Sequence, residues 1–168
     1  MKQLLLMRHA KSSWVEAGMP DFKRPLNKRG KRVAQKMARF LADQQCTPDL
    51  IMSSPAVRAV ATTNFLSGII GGVEPIPMRI ETSFYLAPFR KYLDAIANFD
   101  QKGISRLMFV GHNPGLEDLV ETLGGRWEIL PTAAIVQIQF EAANWHEISL
   151  DLQCQVLNIW RPKEIGID

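Results

Sequence analysis

The stretch Leu107-Met108-Phe109-Val110-Gly111-His112-Asn113-Pro114-Gly115 passes from an unbroken apolar run into a short polar loop framed by glycines. Such a run, bounded by turn residues, reads as a strand buried on both faces, and Leu116, Leu119, Val120 and Leu123 then recur at helical spacing. Asn113 is a candidate helix cap, and Pro114 suits the opening turn. A strand buried on both faces needs helices above and below its sheet, so this stretch argues for an α/β architecture.

The same order of strand, polar loop and helix recurs upstream. Leu4 to Met7 reads as a buried strand, and after a longer loop Val33, Met37, Phe40 and Leu41 mark a helix that Asn27 can cap. Leu50-Ile51-Met52 reads as a second strand running into Ser53-Ser54-Pro55, where the spacing predicts a helix opening on the serine and proline, with Val57, Val60, Ala61 and Phe65 facing inward. An extended stretch over Met78 to Ile80 precedes a helix from about Pro88, with Phe89, Leu93, Ile96 and Ala97 on one side. Ala134 to Phe140 and Gln155 to Trp160 alternate and carry polar residues, as outer strands of the same sheet do. The expectation is one domain over residues 1–168: an α/β three-layer sandwich with a mostly parallel central sheet and helices on both faces.

With 46% hydrophobic and 22% charged residues in a chain of 168, the composition is that of a soluble globular domain. The first residues are too short an apolar run for a signal peptide, and no segment has the length of a bilayer span. Cys46 and Cys154 form no zinc-like pair, so a reduced, cytoplasmic setting is expected. Lys23, Arg24, Lys28, Arg29, Lys31 and Arg32 cluster where a helix begins, against the sign its dipole favours. The cluster is either a solvated basic face or a surface for an anionic substrate or acidic partner. The elements that nucleic-acid recognition requires are not evident.

Two of the three histidines, His9 and His112, directly follow buried strands. Loops at the carboxyl ends of parallel strands share one edge of the sheet, so Arg8, Arg58 and His112 could surround His9. If a backbone carbonyl holds one imidazole nitrogen of His9 protonated, the other is left nucleophilic, and Arg8 beside it offers donors that match phosphate oxygens. Arg58 sits near a helix N-terminus, where its charge adds to the helix field. His146, beside Trp145, has no motif around it and reads as an exposed or packing histidine.

Four blocks carry a resemblance to a known family: Leu-Met-Arg-His-Ala-Lys at 6 to 11, Arg-Pro-Leu with a following Arg-Gly at 24 to 30, Ser-Ser-Pro-Ala-Val-Arg-Ala at 53 to 59, and Val-Gly-His-Asn-Pro at 110 to 114. In this order they resemble the histidine phosphatase, or phosphoglycerate mutase-like, superfamily, and its small SixA-like phosphohistidine phosphatase branch. The resemblance implies a phosphoglycerate mutase-like fold and a phosphatase that forms a covalent phosphohistidine on His9, with Arg8, Arg58 and His112 as the pocket for the phosphoryl oxygens and no cofactor or metal. It adds Arg24 as a further phosphate contact, alongside a structural salt bridge as the other reading. Lys11 and Asn113 are further candidates for substrate contact, with a solvated loop lysine as the leading reading of Lys11.

Members of the superfamily that hydrolyse esters usually hold an acidic residue just before a Tyr-Leu or Leu-Tyr pair to protonate the leaving alkoxide. Here Phe84 stands at that place, in Glu81-Thr82-Ser83-Phe84-Tyr85-Leu86. An imidazole leaves far more readily than an alkoxide, so Phe84 favours an N-phosphorylated substrate. The expected partner is a phosphorylated protein, such as a histidine phosphotransfer domain, or else a small phosphorylated compound. Two alternatives remain open: a small-phosphomonoester phosphatase with Glu81 or Glu117 as the acid, and a non-catalytic phosphoprotein-binding module.

Overall fold

The computed structural model describes residues 1–15 and 17–168. Six strands form one sheet: β1 (Lys2–Arg8), β2 (Leu50–Ser53), β3 (Met78–Ile80), β4 (Arg106–Gly111), β5 (Ile135–Phe140) and β6 (Cys154–Trp160), in the spatial order β3-β2-β4-β1-β5-β6. β4 lies between β2 and β1 and is parallel to both, whereas β5 runs antiparallel to β1 and β6 antiparallel to β5. The strands with unbroken apolar runs are those in the middle, where both faces must be covered.

Side chains alternate across the pleat and divide the core into two layers. Leu5, Met7, Ile51, Met108 and Val110 face α1 (Lys28–Asp43) and α2 (Val57–Gly71). Leu4, Leu6, Met52, Leu107 and Phe109 face α3 (Phe89–Ala97) and α4 (Gly115–Gly124). This is the three-layer α/β sandwich expected from the sequence. Among the described residues no helix is long and apolar enough to cross a membrane.

Three local expectations need correction. α2 opens at Val57 with Ala56 as its N-cap, not at Ser54 and Pro55, because the Ser54 hydroxyl bonds to His112, 2.7 Å away. Its buried face is Arg58, Ala59, Thr62, Thr63 and Leu66, while Val57 is exposed. The threonines hide in the core because Thr62 Oγ1 donates to the Arg58 carbonyl and Thr63 Oγ1 to that of Ala59, each one turn back, so the sequence shows as polar what the fold treats as satisfied. In α3 the fully buried residues are Ile96, as expected, and Tyr92, while Ala97 is exposed. Finally, Pro114 is the N-cap of α4, and Asn113 turns its amide away to donate to the Leu130 carbonyl at 2.9 Å.

Register aligns the ends of the strands. Arg8 pairs with Gly111, Ser53 with Val110 and with Ile80, and Met7 with Ile135 at the start of β5. The loops after β1, β2 and β4 and the loop before β5 therefore share one edge of the sheet.

Candidate active site

A cavity of about 290 Å³ opens at that edge, and its walls include Arg8, His9, Lys11, Arg24, Arg58, His112 and Asn113. All of the site residues expected from the sequence are thus brought together. Ser12, Trp14, Leu86 and Thr132 complete the lining, and among the described residues no carboxylate forms part of it.

His9 leaves β1 with its backbone N–H donating to Gly111 of β4 at 3.1 Å. Its Nδ1 lies 2.7 Å from the carbonyl of Ala10, which fixes the proton on that nitrogen, and its Nε2 accepts from Arg58 Nε at 3.1 Å. Thr62 anchors this turn from α2: its Oγ1 accepts from the Ala10 N–H at 3.0 Å. Burial, followed by the charges of Arg58, Arg8 and Arg24, pushes the His9 pKa down to about 4, against the opposing pull of the Ala10 carbonyl. At neutral pH, His9 therefore presents an unprotonated Nε2 within a cationic pocket.

Arg58 is the centre of the hydrogen-bond network. Besides its bond to His9, it donates through Nη1 to the Asp21 carbonyl at 2.7 Å and through Nη2 to Asp21 Oδ2 at 2.9 Å, and Nη2 lies 3.4 Å from His112 Nδ1. His112 Nδ1 is then an acceptor, and Nε2–H is turned to Ser54 Oγ. Burial and the nearby His9 and Arg58 take the His112 pKa down to about 3. The two imidazole rings lie 5.0 Å apart.

Asp21, on the 3₁₀ turn Asp21–Lys23, is a residue that sequence reasoning missed. Its Oδ1 accepts from Arg24 Nη1 at 2.9 Å, and its Oδ2 accepts from Arg58 Nη2 and from the Tyr85 hydroxyl, each at 2.9 Å. Partial burial works to raise its pKa, but the bonds from Arg24, Tyr85 and Arg58 prevail and hold it at about 2. One carboxylate thus aligns two guanidiniums and ties them to the segment after β3. The only hint in the sequence was an acid three residues ahead of Arg24. Arg24 further donates to Ser12 Oγ at 2.6 Å and to the Ser13 carbonyl at 3.0 Å, and its guanidinium stacks on exposed Trp14, 3.1 Å from the ring centroid.

Arg8 donates through Nη1 to the Leu130 carbonyl at 2.8 Å. Among the described residues, the buried side-chain polar atoms without a partner are Arg8 Nε and Asn113 Oδ1, both belonging to side chains of the cavity wall. Unsatisfied buried groups are rare, and a place that binds an anion or water accounts for such a donor.

The two glutamates considered as acids lie elsewhere. Glu81 caps the turn Thr82–Phe84, accepting from Ser83 N at 3.1 Å and Ser83 Oγ at 2.7 Å, and Glu117 accepts from Leu130 N at 2.8 Å. Phe84 points into the core, its ring 4.5 Å from that of Tyr92 and 4.9 Å from that of Phe109, so in this fold position 84 does not face the cavity. Within the basic cluster, Lys23, Lys28, Lys31 and Arg32 are exposed, but Arg29 and Arg32 both donate to Asp168. Exposed His146 lies outside the cavity walls.

Comparison with known proteins bears on this arrangement. Residues 4–84 match the model of the histidine phosphatase superfamily, branch 1. An uncharacterised chloroplastic protein of Arabidopsis thaliana is 31% identical over 152 residues, covering 87% of this chain and 70% of that protein. Among solved structures, a candidate phosphohistidine phosphatase SixA of Agrobacterium tumefaciens superposes with a TM-score of 0.80 at 28% identity, over 96% of this chain and 98% of the other. The protein histidine phosphatase SixA in complex with tungstate shares the fold with a TM-score of 0.81 at 18% identity, over 98% of this chain and 99% of that one. The chain belongs to the histidine phosphatase superfamily, a class of phosphatases. Within that superfamily it falls in the SixA-like branch.

Proposed function

We propose that this chain hydrolyses phosphohistidine in proteins through a covalent phosphohistidine on His9, with Arg8, Arg58 and His112 binding the phosphoryl group and Arg24, Lys11 and Asn113 contacting the substrate. The observation that carries the reading is His9 Nε2, unprotonated and oriented by Arg58, in a cavity that, among the described residues, no carboxylate lines. The SixA relatives support the same substrate class.

In the first step His9 Nε2 attacks phosphorus and the bond from phosphorus to the substrate imidazole breaks. The electron pair of that bond returns to the imidazole nitrogen, which leaves as neutral imidazole once protonated from solvent. Charge on the equatorial oxygens rises in flight and is opposed by the guanidiniums of Arg8 and Arg58, Arg58 Nε releasing His9 Nε2 as that nitrogen takes the phosphorus, with His112 beside them. In the second step water attacks the phosphoryl group on His9, the bond from phosphorus to Nε2 breaks, and phosphate departs. The arginines supply the charge that a metal provides in other phosphatases, so turnover in the presence of a chelator is part of the proposal.

An alkoxide leaving group needs a proton donor in the site, worth about two to four orders of magnitude. With no carboxylate in the cavity wall among the described residues, a substrate with an imidazole leaving group is favoured. The test is a competition among phosphohistidine, phosphoserine and a small aryl phosphate, with wild type and His9→Ala, chased for acid-labile label on the protein. Phosphohistidine should be turned over fastest and label should appear on wild type alone. Faster phosphoserine hydrolysis, or label persisting in His9→Ala, would overturn the reading.

A further inference from the structure

Next to the phosphoryl pocket runs a larger groove of about 490 Å³ that shares Arg8, Lys11 and Thr132 with it. We infer that this groove receives an acidic segment of the phosphoprotein beside its phosphohistidine, an inference that rests on the reading proposed above.

The floor of the groove is apolar, formed by Val33, Pro131 and Pro162, and its rim is cationic. Two of the rim cations are already committed. Arg161 donates to Glu128 at 2.6 Å, to Glu164 at 3.3 Å and to the Ile129 carbonyl at 2.8 Å, and Arg29 pairs with Asp168. The pairing with Arg161 also occupies Glu164, among the described residues the one acid of the lining. Lys11 and Lys163 are different. Both are exposed, and among the described residues neither has a carboxylate within ion-pair distance. Their charge, with that of Arg8, leaves a positive field on the groove side of the pocket, complementary to carboxylates near the phosphorylated residue.

The loops around the pocket add an observation of another kind. Trp14, Val15, Phe22 and Leu86 are exposed large apolar side chains, and Trp14 and Leu86 form part of the cavity wall itself. A small, fully hydrated phosphate compound gains little from such a rim, whereas a protein surface covers it. A cationic groove and apolar lips around one reacting centre together fit a protein partner with an acidic strip.

The probes are free phosphohistidine, a histidine-phosphorylated peptide flanked by aspartates, and the same peptide with asparagines. The aspartate peptide should exceed the asparagine peptide in kcat/KM by about tenfold at low salt, and the advantage should fade as the screening length shrinks to about 3 Å near 1 M salt. Lys163→Glu should remove the preference through KM while free phosphohistidine is turned over as by wild type. Equal kcat/KM for both peptides, or an equal loss on free phosphohistidine in Lys163→Glu, would overturn the inference. Fluorescence anisotropy with the unphosphorylated aspartate peptide provides an arm independent of catalysis: binding by wild type that Lys163→Glu abolishes supports the groove, and identical binding by both refutes it. If wild type hydrolyses no phosphohistidine substrate, the parent reading fails, and the anisotropy still decides the groove.

Discussion

Replacing Asp21 with asparagine changes one charge and almost no volume, and the network around it sets the expected result. The carboxylate accepts from Arg24, Arg58 and Tyr85, each at 2.9 Å. A hydrogen bond to a charged group contributes about 1.5–3 kcal/mol. The Asp21 side chain is 39% exposed, however, and solvent screening brings the expected loss of stability for all three to about 1–2 kcal/mol. Catalysis should suffer more. Arg58 would keep its bond to the Asp21 backbone carbonyl but lose the carboxylate that fixes the plane of its fork, and with it the alignment of Nε on His9 Nε2. Misplacement by about 1 Å near a reacting centre costs on the order of 100-fold, and the surviving backbone contact limits the damage, so kcat on phosphohistidine should fall by about 10- to 100-fold. Anion affinity should move the other way or stay constant, since the variant removes a negative charge beside the phosphate-binding arginines. Steady-state kinetics and calorimetric titration with tungstate separate the two effects. A wild-type kcat, or tungstate binding weakened tenfold with kcat intact, would show that Asp21 does not align Arg58.

The histidines give a pH prediction with a definite sign. In the folded chain their pKa values lie at about 4 for His9 and about 3 for His112, below the ordinary value of 6.5, so the unfolded chain takes up protons first as pH falls. Their contribution to stability is complete above pH 6.5 and is lost as pH falls through 4 and then 3; the melting temperature should drop across that window, and imidazole resonances of both residues should still report the neutral form at pH 5. A melting temperature that is level from pH 6.5 to 4 would contradict this. Gly30→Ala should destabilise the chain by about 1–3 kcal/mol, because a Cβ there would lie 2.0 Å from the Lys11 carbonyl oxygen. Denaturant titration measures this, and a midpoint equal to wild type would mean that α1 and the loop after His9 are not in firm contact.

Much of the architecture was legible because burial on two faces leaves a local record. The runs at Leu4, Leu50 and Leu107 became β1, β2 and β4, and the helical spacing after Asn27 became α1, with Asn27 Oδ1 accepting from Gly30 N at 2.7 Å. The inward face of α2 is legible only in part: Ala61 and Phe65 pack against the core as expected, but Thr62 and Thr63 look polar in sequence because their bonds to their own helix do not show there. Phe84 stands where the resemblance leads one to expect an acid, but its side chain belongs to the core and not to the cavity, which no one-dimensional pattern reveals.

The sequence by itself determined the family and the central parallel strands, and it nominated His9, Arg8, Arg58 and His112, because contiguous motifs and apolar periodicity are properties of neighbours along the chain. Tertiary structure alone decided that Asp21 accepts from Arg58 and from the Tyr85 hydroxyl, that Thr62 anchors the turn after His9, and that Ser54 bonds to His112 instead of capping α2. Those are contacts between residues 37 to 64 positions apart, brought within hydrogen-bond reach by strand register at one edge of the sheet. Spacing along the chain carries no trace of them.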